Sequence, residues 1–127
     1  VDLATYLDTQ QVSLVLGTNL FLGRMPDTPD ECVVLYEYGG SAPDNTMGAG
    51  LPVLQNPAVQ IAVRAVLYAS AETLINLCWA SLESITDMSL SGTRYNRVTA
   101  IQSPFLLERD AQDRVIFVQN FNVTRAY

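Results

Sequence analysis

The side chains able to do chemistry in this chain are few, and the missing ones exclude most reactions. The sequence holds no histidine, and its seven basic residues are all arginine. Imidazole acid–base catalysis, imidazole metal ligation, lysine Schiff bases and lysine-rich anchors are therefore excluded together. A serine nucleophile would lack its usual side-chain base, and Cys32 and Cys78 lack a histidine to draw off the thiol proton. Carboxylate chemistry remains. Glu108, Asp110 and Asp113 flank one turn and could offer oxygens to a hard cation, but the glycine and closing glutamate of a calcium loop are absent. Arg109 and Arg114 neutralise the same cluster, so a salt-bridged turn is expected there, with no metal. Gly48-Ala49-Gly50 has neither the third glycine nor the following helix of a dinucleotide site, and reads as a loop tip. Two carboxylates meeting in space could still run acid–base chemistry, as in a small hydrolase, although no spacing nominates a pair. The chain is expected to be no enzyme and to hold no cofactor.

Arg64 is the most informative charge. It stands in the middle of an apolar strand-like run, where a guanidinium needs a partner or water. A cross-strand pair with Glu37 is expected, and a contact with another copy of the chain is the functional reading. The remaining charge is acidic: the formal net charge is −6, and no cluster of arginines offers a footprint for nucleic acid. Arg94 with Arg97, and Arg109 with Arg114, sit among polar or acidic residues and read as salt bridges or a solvated strand face. No apolar run approaches the ~20 residues of a membrane span. The start, Val1-Asp2-Leu3-Ala4-Thr5, lacks the features of a signal peptide, so a cytoplasmic origin and buried free thiols at Cys32 and Cys78 are expected.

The elements that position these residues follow from periodicity. With 127 residues, 49% hydrophobic and 16% charged, the chain suits a single domain spanning residues 1–127. Leu3, Tyr6 and Leu7 predict a short helix that Asp2 could cap, fading by Gln10 or Gln11. Gly17-Thr18-Asn19 predicts a turn before a strand at Leu20–Arg24, and Met25–Asp30 a stiff turn with two prolines. Cys32–Tyr38 predicts a strand ended by Gly39-Gly40. Ser41–Pro57, with three prolines and two glycines, predicts a long functional loop containing Asp44, Asn45 and Met47. Val59–Tyr68 alternates as a strand, with Val59, Ile61, Val63, Ala65 and Leu67 on one face. Ser70 is expected to cap a helix whose stripe is Ala71, Leu74, Ile75, Cys78, Leu82 and Ile85. After a loop at Ser89–Thr93 come strands at Tyr95–Ile101 and Pro104–Glu108, a polar turn, and a strand at Arg114–Arg125. The expected fold is an α+β two-layer domain: a mostly antiparallel sheet, two helices packed on one face, and a C-terminal β-hairpin.

The ordered motifs carry a resemblance. Leu20-Phe21-Leu22-Gly23-Arg24-Met25-Pro26-Asp27-Thr28-Pro29-Asp30, then Tyr36-Glu37-Tyr38-Gly39-Gly40, then Pro57 through Ala65, then Arg109-Asp110-Ala111-Gln112-Asp113-Arg114 with Phe117, Asn120 and Phe121 follow one another in family order. Together they resemble the minor capsid or tail terminator proteins of long-tailed bacteriophages, over about Leu3 to Arg125. Asp113 stands where that pattern has a turn glycine, a substitution that aspartate tolerates better than most residues.

The resemblance implies a virion protein of the tail or neck, assembled in the bacterial host cytoplasm. It implies a ring, usually of six copies, that caps the tail tube, stops its polymerisation and offers a face to the head connector or stopper protein. Six spheres of about 36 Å, from a radius of gyration near 14 Å, leave a hole about as wide as one sphere, which passes a DNA duplex. A net charge of −6 per copy would let genomic DNA slide through such a lumen without specific binding. Asp44, Asn45 and Met47 of the loop and Asp110, Asp113 and Arg114 of the turn are the expected contacts with neighbouring copies or tail tube protein, with Arg64 and Glu37 beside them. A head–tail stopper or a tail-tube-like subunit shares this logic and is the alternative; arrest of tube growth by the purified protein discriminates between them.

Overall fold

The computed structural model describes residues 2–10, 14–45 and 52–126. The fold is α+β, with two helices and a mostly antiparallel sheet of seven strands among the described residues. In chain order these are α1 (Asp2–Gln10), β1 (Leu20–Leu22), β2 (Cys32–Asn45), β3 (Pro52–Ala65), α2 (Tyr68–Glu83), β4 (Thr86–Leu90), β5 (Thr93–Ala100), β6 (Phe105–Arg109) and β7 (Val115–Ala126). The sheet runs β1-β2-β3-β7-β5-β4, with β1 parallel to β2 and the other pairs antiparallel. β7 is long enough for β6 to pair with its first half and β5 with its second.

Alternation builds the core. Val33 and Leu35 of β2, Val59, Ile61, Val63 and Ala65 of β3, and Val115, Phe117, Phe121 and Val123 of β7 meet Leu3, Ala4 and Leu7 of α1 in one cluster. Ala71, Leu74, Ile75, Cys78 and Leu82 of α2, with Ile85 just beyond it, complete that cluster, as their spacing predicts. Each fully buried aliphatic side chain among them contributes about 1.5–3 kcal/mol of hydrophobic stabilisation. Tyr68 packs edge-on against Phe117 with ring centroids 5.0 Å apart, fixing the start of α2 to β7.

Several boundaries differ from the sequence expectation. Asp2 lies inside α1 and accepts a hydrogen bond from the Tyr95 hydroxyl instead of capping the helix. α2 starts at Tyr68, with Leu67 at its N-cap and no side-chain cap, so Leu67 is exposed and leaves the face of β3. The segment Ser41–Pro57 is not one long loop: Ser41–Asn45 continue β2 and Pro52–Pro57 belong to β3. Gly39-Gly40 does not end the strand, because the extra residue between Tyr38 and Ser41 is absorbed as a bulge, a common role of glycine within a strand. A Cβ on Gly40 would overlap the carbonyl oxygen of Asn56, so only glycine permits this approach of the two strands. Asp44 and Asn45 close β2 opposite Leu54 and Pro52, while Met47 and Gly48-Ala49-Gly50 lie outside the described residues. β4 takes only Ser89 and Leu90 of the expected loop before β5; Met88 and Leu90 pack against the core, an alternation too short to mark the strand in the sequence.

Candidate assembly surfaces

The turn Asp110–Arg114 is built by its own carboxylate. Asp110 Oδ1 accepts the backbone amides of Gln112 (3.0 Å) and Arg114 (2.9 Å), and the Asp113 amide donates to the Asp110 carbonyl at 2.9 Å. Asp113 takes φ of 61°, the left-handed conformation that a glycine would otherwise supply. Arg114 donates from Nε to Asp110 Oδ2 at 2.7 Å, and from Nη1 to Asp27 O at 2.6 Å and Asp30 Oδ1 at 3.1 Å. Its guanidinium therefore ties the turn to the proline-rich segment before β2. Burial alone would raise the Asp110 pKa, but the Arg114 amide and guanidinium and the Gln112 amide outweigh it and hold the carboxyl below its ordinary value. Among the described residues no group of carboxylates and thiols is arranged to hold a metal ion.

Arg64 and Glu37 do not pair. Glu37 sits opposite Val59, five residues from Arg64, and strand alternation puts the two side chains on opposite sheet faces. Arg64 is 3% exposed and donates to Pro29 O at 2.7 Å and Asp30 O at 3.2 Å, satisfying a buried charge with carbonyls. Cys32 and Cys78 are buried free thiols. Burial raises both pKa values, Cys78 to about 12, while the charges of Arg64 and Arg114 partly offset it at Cys32.

The partner of Glu37 is Arg125, which sequence reasoning passed over. Arg125 donates to Glu37 Oε1 at 3.0 Å, to Gln55 Oε1 at 3.1 Å and to the Tyr95 hydroxyl at 3.4 Å. Its parity was the available signal, since it shares the core face of β7 with Val115, Phe117, Phe121 and Val123, where an arginine demands a partner. With Tyr95 and Glu37 it walls a cavity of about 310 Å³ whose other lining includes Leu3, Leu22, Leu35 and Val59.

The sheet also presents open edges. All five residues of β6 are exposed, with Phe105 and Leu106 at 41% and Leu107 at 53%. Leu107 is the extra residue of a bulge, since Leu106 faces Phe117 and Glu108 faces Ile116. At the other end of the sheet, Leu22 of β1 is 41% exposed, and Val15 and Leu16 of the preceding segment are exposed too. Alternation points the backbone groups of Leu20 and Leu22 away from β2, and those of Leu20 are taken by Gly17 and Val15. Among the described residues, exposed apolar side chains thus gather along β6 and in the segment that includes Val15, Leu16 and Leu22.

The sequence matches the family described as bacteriophage tail terminator protein over residues 6–127. The chain belongs to that family. It is thereby a structural protein of the virion tail, and the tail terminator match spans every strand described above. No curated protein matches the chain. No helix among the described residues of this tail terminator family member is long and apolar enough to cross a membrane.

Proposed function

We propose that this chain is the tail terminator itself: a ring, of six copies, that caps the tail tube, stops its polymerisation and offers the surface on which the head connector or stopper docks. The family match over residues 6–127 carries the reading. Residues 1–127 act as one domain, a two-layer unit with both helices against one sheet face, a layering supported by the single core cluster that α1 and α2 share with alternate strand residues. The turn at Asp110–Arg114 and the outer end of the β2–β3 arm, with Asp44, Asn45 and Met47, meet neighbouring copies or tail tube protein. Asp113 presents the exposed part of that turn, while Asp110 and Arg114 hold its shape from within. Glu37 keeps an exposed carboxylate next to the arm, and Arg64 serves from the interior by anchoring the segment before β2. Genomic DNA passes through the lumen, held off by the acidic character of every copy. Assembly takes place in the host cytoplasm, and the chain performs no catalysis.

Mixing the purified protein with polymerising tail tube subunits tests this. Tubes should stop growing with the protein at one end, and particle images should place it where tail meets head. Uninterrupted tube growth, or a position elsewhere in the particle, sinks the reading.

A further inference from the structure

We infer that the copies join head to tail, β6 of one copy seating Leu106 in the cavity between α1 and the sheet of the next. This rests on the ring reading above and specifies its copy-to-copy contact. The receiving cavity, of about 310 Å³, reaches the end of β1 at Leu22 and Gly23. Leu3, Leu22, Leu35 and Val59 make its walls apolar, while Glu37 and Arg125 hold each other at its rim. A hollow of that size and lining suits aliphatic side chains, which gain by leaving water. The contact is made by side chains, because the backbone of Leu20 is bonded within its own copy to Val15 and Gly17.

The strand that supplies such side chains lies on the other side of the sheet. Phe105, Leu106 and Leu107 are consecutive, apolar and exposed, and such a patch marks a contact surface. β6 pairs with β7 alone, whereas β1 and β2 wall the cavity, so donor and acceptor stand four strand positions apart from β6 to β1. Two different surfaces on opposite sides of one chain make a heterologous contact, the kind that closes into rings. Leu106 lies in the row of Phe117, Val63, Val33 and Leu20, two residues before Leu22. Seating it at Leu22 shifts each copy by roughly 7 Å along the strands for about 19 Å across them. A uniform tilt of the strands to the ring axis absorbs such a shift, as it does in barrels.

Spacing, direction and charge favour a second copy as the occupant. On the core face of β6, Leu106 stands opposite Phe117 and Arg109 opposite Val115, two β7 residues or roughly 7 Å apart. The receiving side repeats that interval. Leu22 and Leu35, registered with each other, wall the cavity, and two residues before them stand Leu20 and Val33, also registered. Asp8 accepts the amide of Leu16, which bridges to Leu20, so its carboxylate lies near that row. With Leu106 seated at Leu22, Arg109 of one copy therefore arrives at Asp8 of the next. Strand direction agrees: β1 is parallel to β2, and three antiparallel steps through β3 and β7 make β6 run opposite to β1. Neighbours in a six-membered ring differ by one sixth of a turn, which preserves that sense. Arg109 is loosely held in its own copy, with Asp113 3.5 Å away at the limit of an ion pair, and α1 carries Asp2 and Asp8 and no basic residue. An exposed pair of this kind sets register more than it adds strength.

The test joins Leu22→Cys with Leu106→Cys in one chain. Within a copy these positions lie four strands apart, roughly 19 Å, too far for a disulfide. The native Cys32 and Cys78 are buried and do not compete. Oxidation of the assembled protein should give a ladder of covalent oligomers on a non-reducing gel that ends at the ring's copy number. The two single variants mixed should give dimers and nothing larger. Leu106→Asp, checked for native circular dichroism, should sediment as monomer under conditions where the unchanged protein forms rings. Rings that do not crosslink, or a Leu106→Asp protein that still forms them, overturn the seating of Leu106 and leave the ring reading standing. Leu106→Asp rings that no longer cap tubes would assign β6 to the tube protein and likewise overturn it. An unchanged protein that stays monomeric even on tail tubes removes the ring reading, and this contact with it.

Discussion

Asp110 shows how one carboxylate can shape a whole turn. It accepts two amides and one guanidinium, and a pKa held below the ordinary value means that folding favours its charged form. A depressed folded pKa contributes stability that is fully present above the unfolded carboxylate value and is lost as pH falls through the folded one, here below about pH 4. Unfolding by urea across about pH 7 to 3 should therefore show a steeper acid loss for the unchanged protein than for Asp110→Asn, which has no such charge to lose. Parallel curves would refute the role given to this carboxylate. The salt-bridged turn was legible from its residue types, and the family resemblance marked Asp113 as standing in its glycine position. The tie from Arg114 to Asp27 and Asp30 was not, because those partners lie 87 and 84 residues away.

At the scale of the element, the β2–β3 pair is the instructive case. Its glycines and prolines read as a loop, yet the strands persist to Asn45 and from Pro52, because a bulge at Gly39-Gly40 lets β2 accommodate an extra residue. Gly40→Ala should cost about 1–3 kcal/mol, since the new methyl must displace the Asn56 backbone. Hydrogen exchange should rise at amides from Tyr38 to Ser41 and around Asn56 while the β3–β7 ladder stays protected. Unchanged exchange would mean that Gly40 is not needed for the approach. Elsewhere apolar periodicity sufficed: the stripe of α2 and the alternation of β7 are both found in the core. It failed at β4, where only Met88 and Leu90 mark the face turned to the core.

For the whole molecule, the relevant balance lies between like net charge and apolar edges. Copies of net charge −6 repel one another, whereas contacts through exposed apolar side chains such as Phe105, Leu106 and Leu107 are indifferent to sign. Raising salt from about 0.02 to 0.5 M shortens the Debye length to a few ångströms and should strengthen ring formation, read by sedimentation velocity. Rings that fall apart as salt rises would show that ion pairs hold the copies together instead.

Residue types alone settled what chemistry is absent, because a missing histidine or lysine cannot be restored by folding. Periodicity settled most helices and strands, since each face must find the core or water within a few residues. The partners of Arg64, Arg114 and Arg125, and the alignment of Leu106 with Leu20 across the sheet, were decided only in three dimensions. Those relations depend on which strands become neighbours and in what register, and that is a property of packing between segments far apart in the chain.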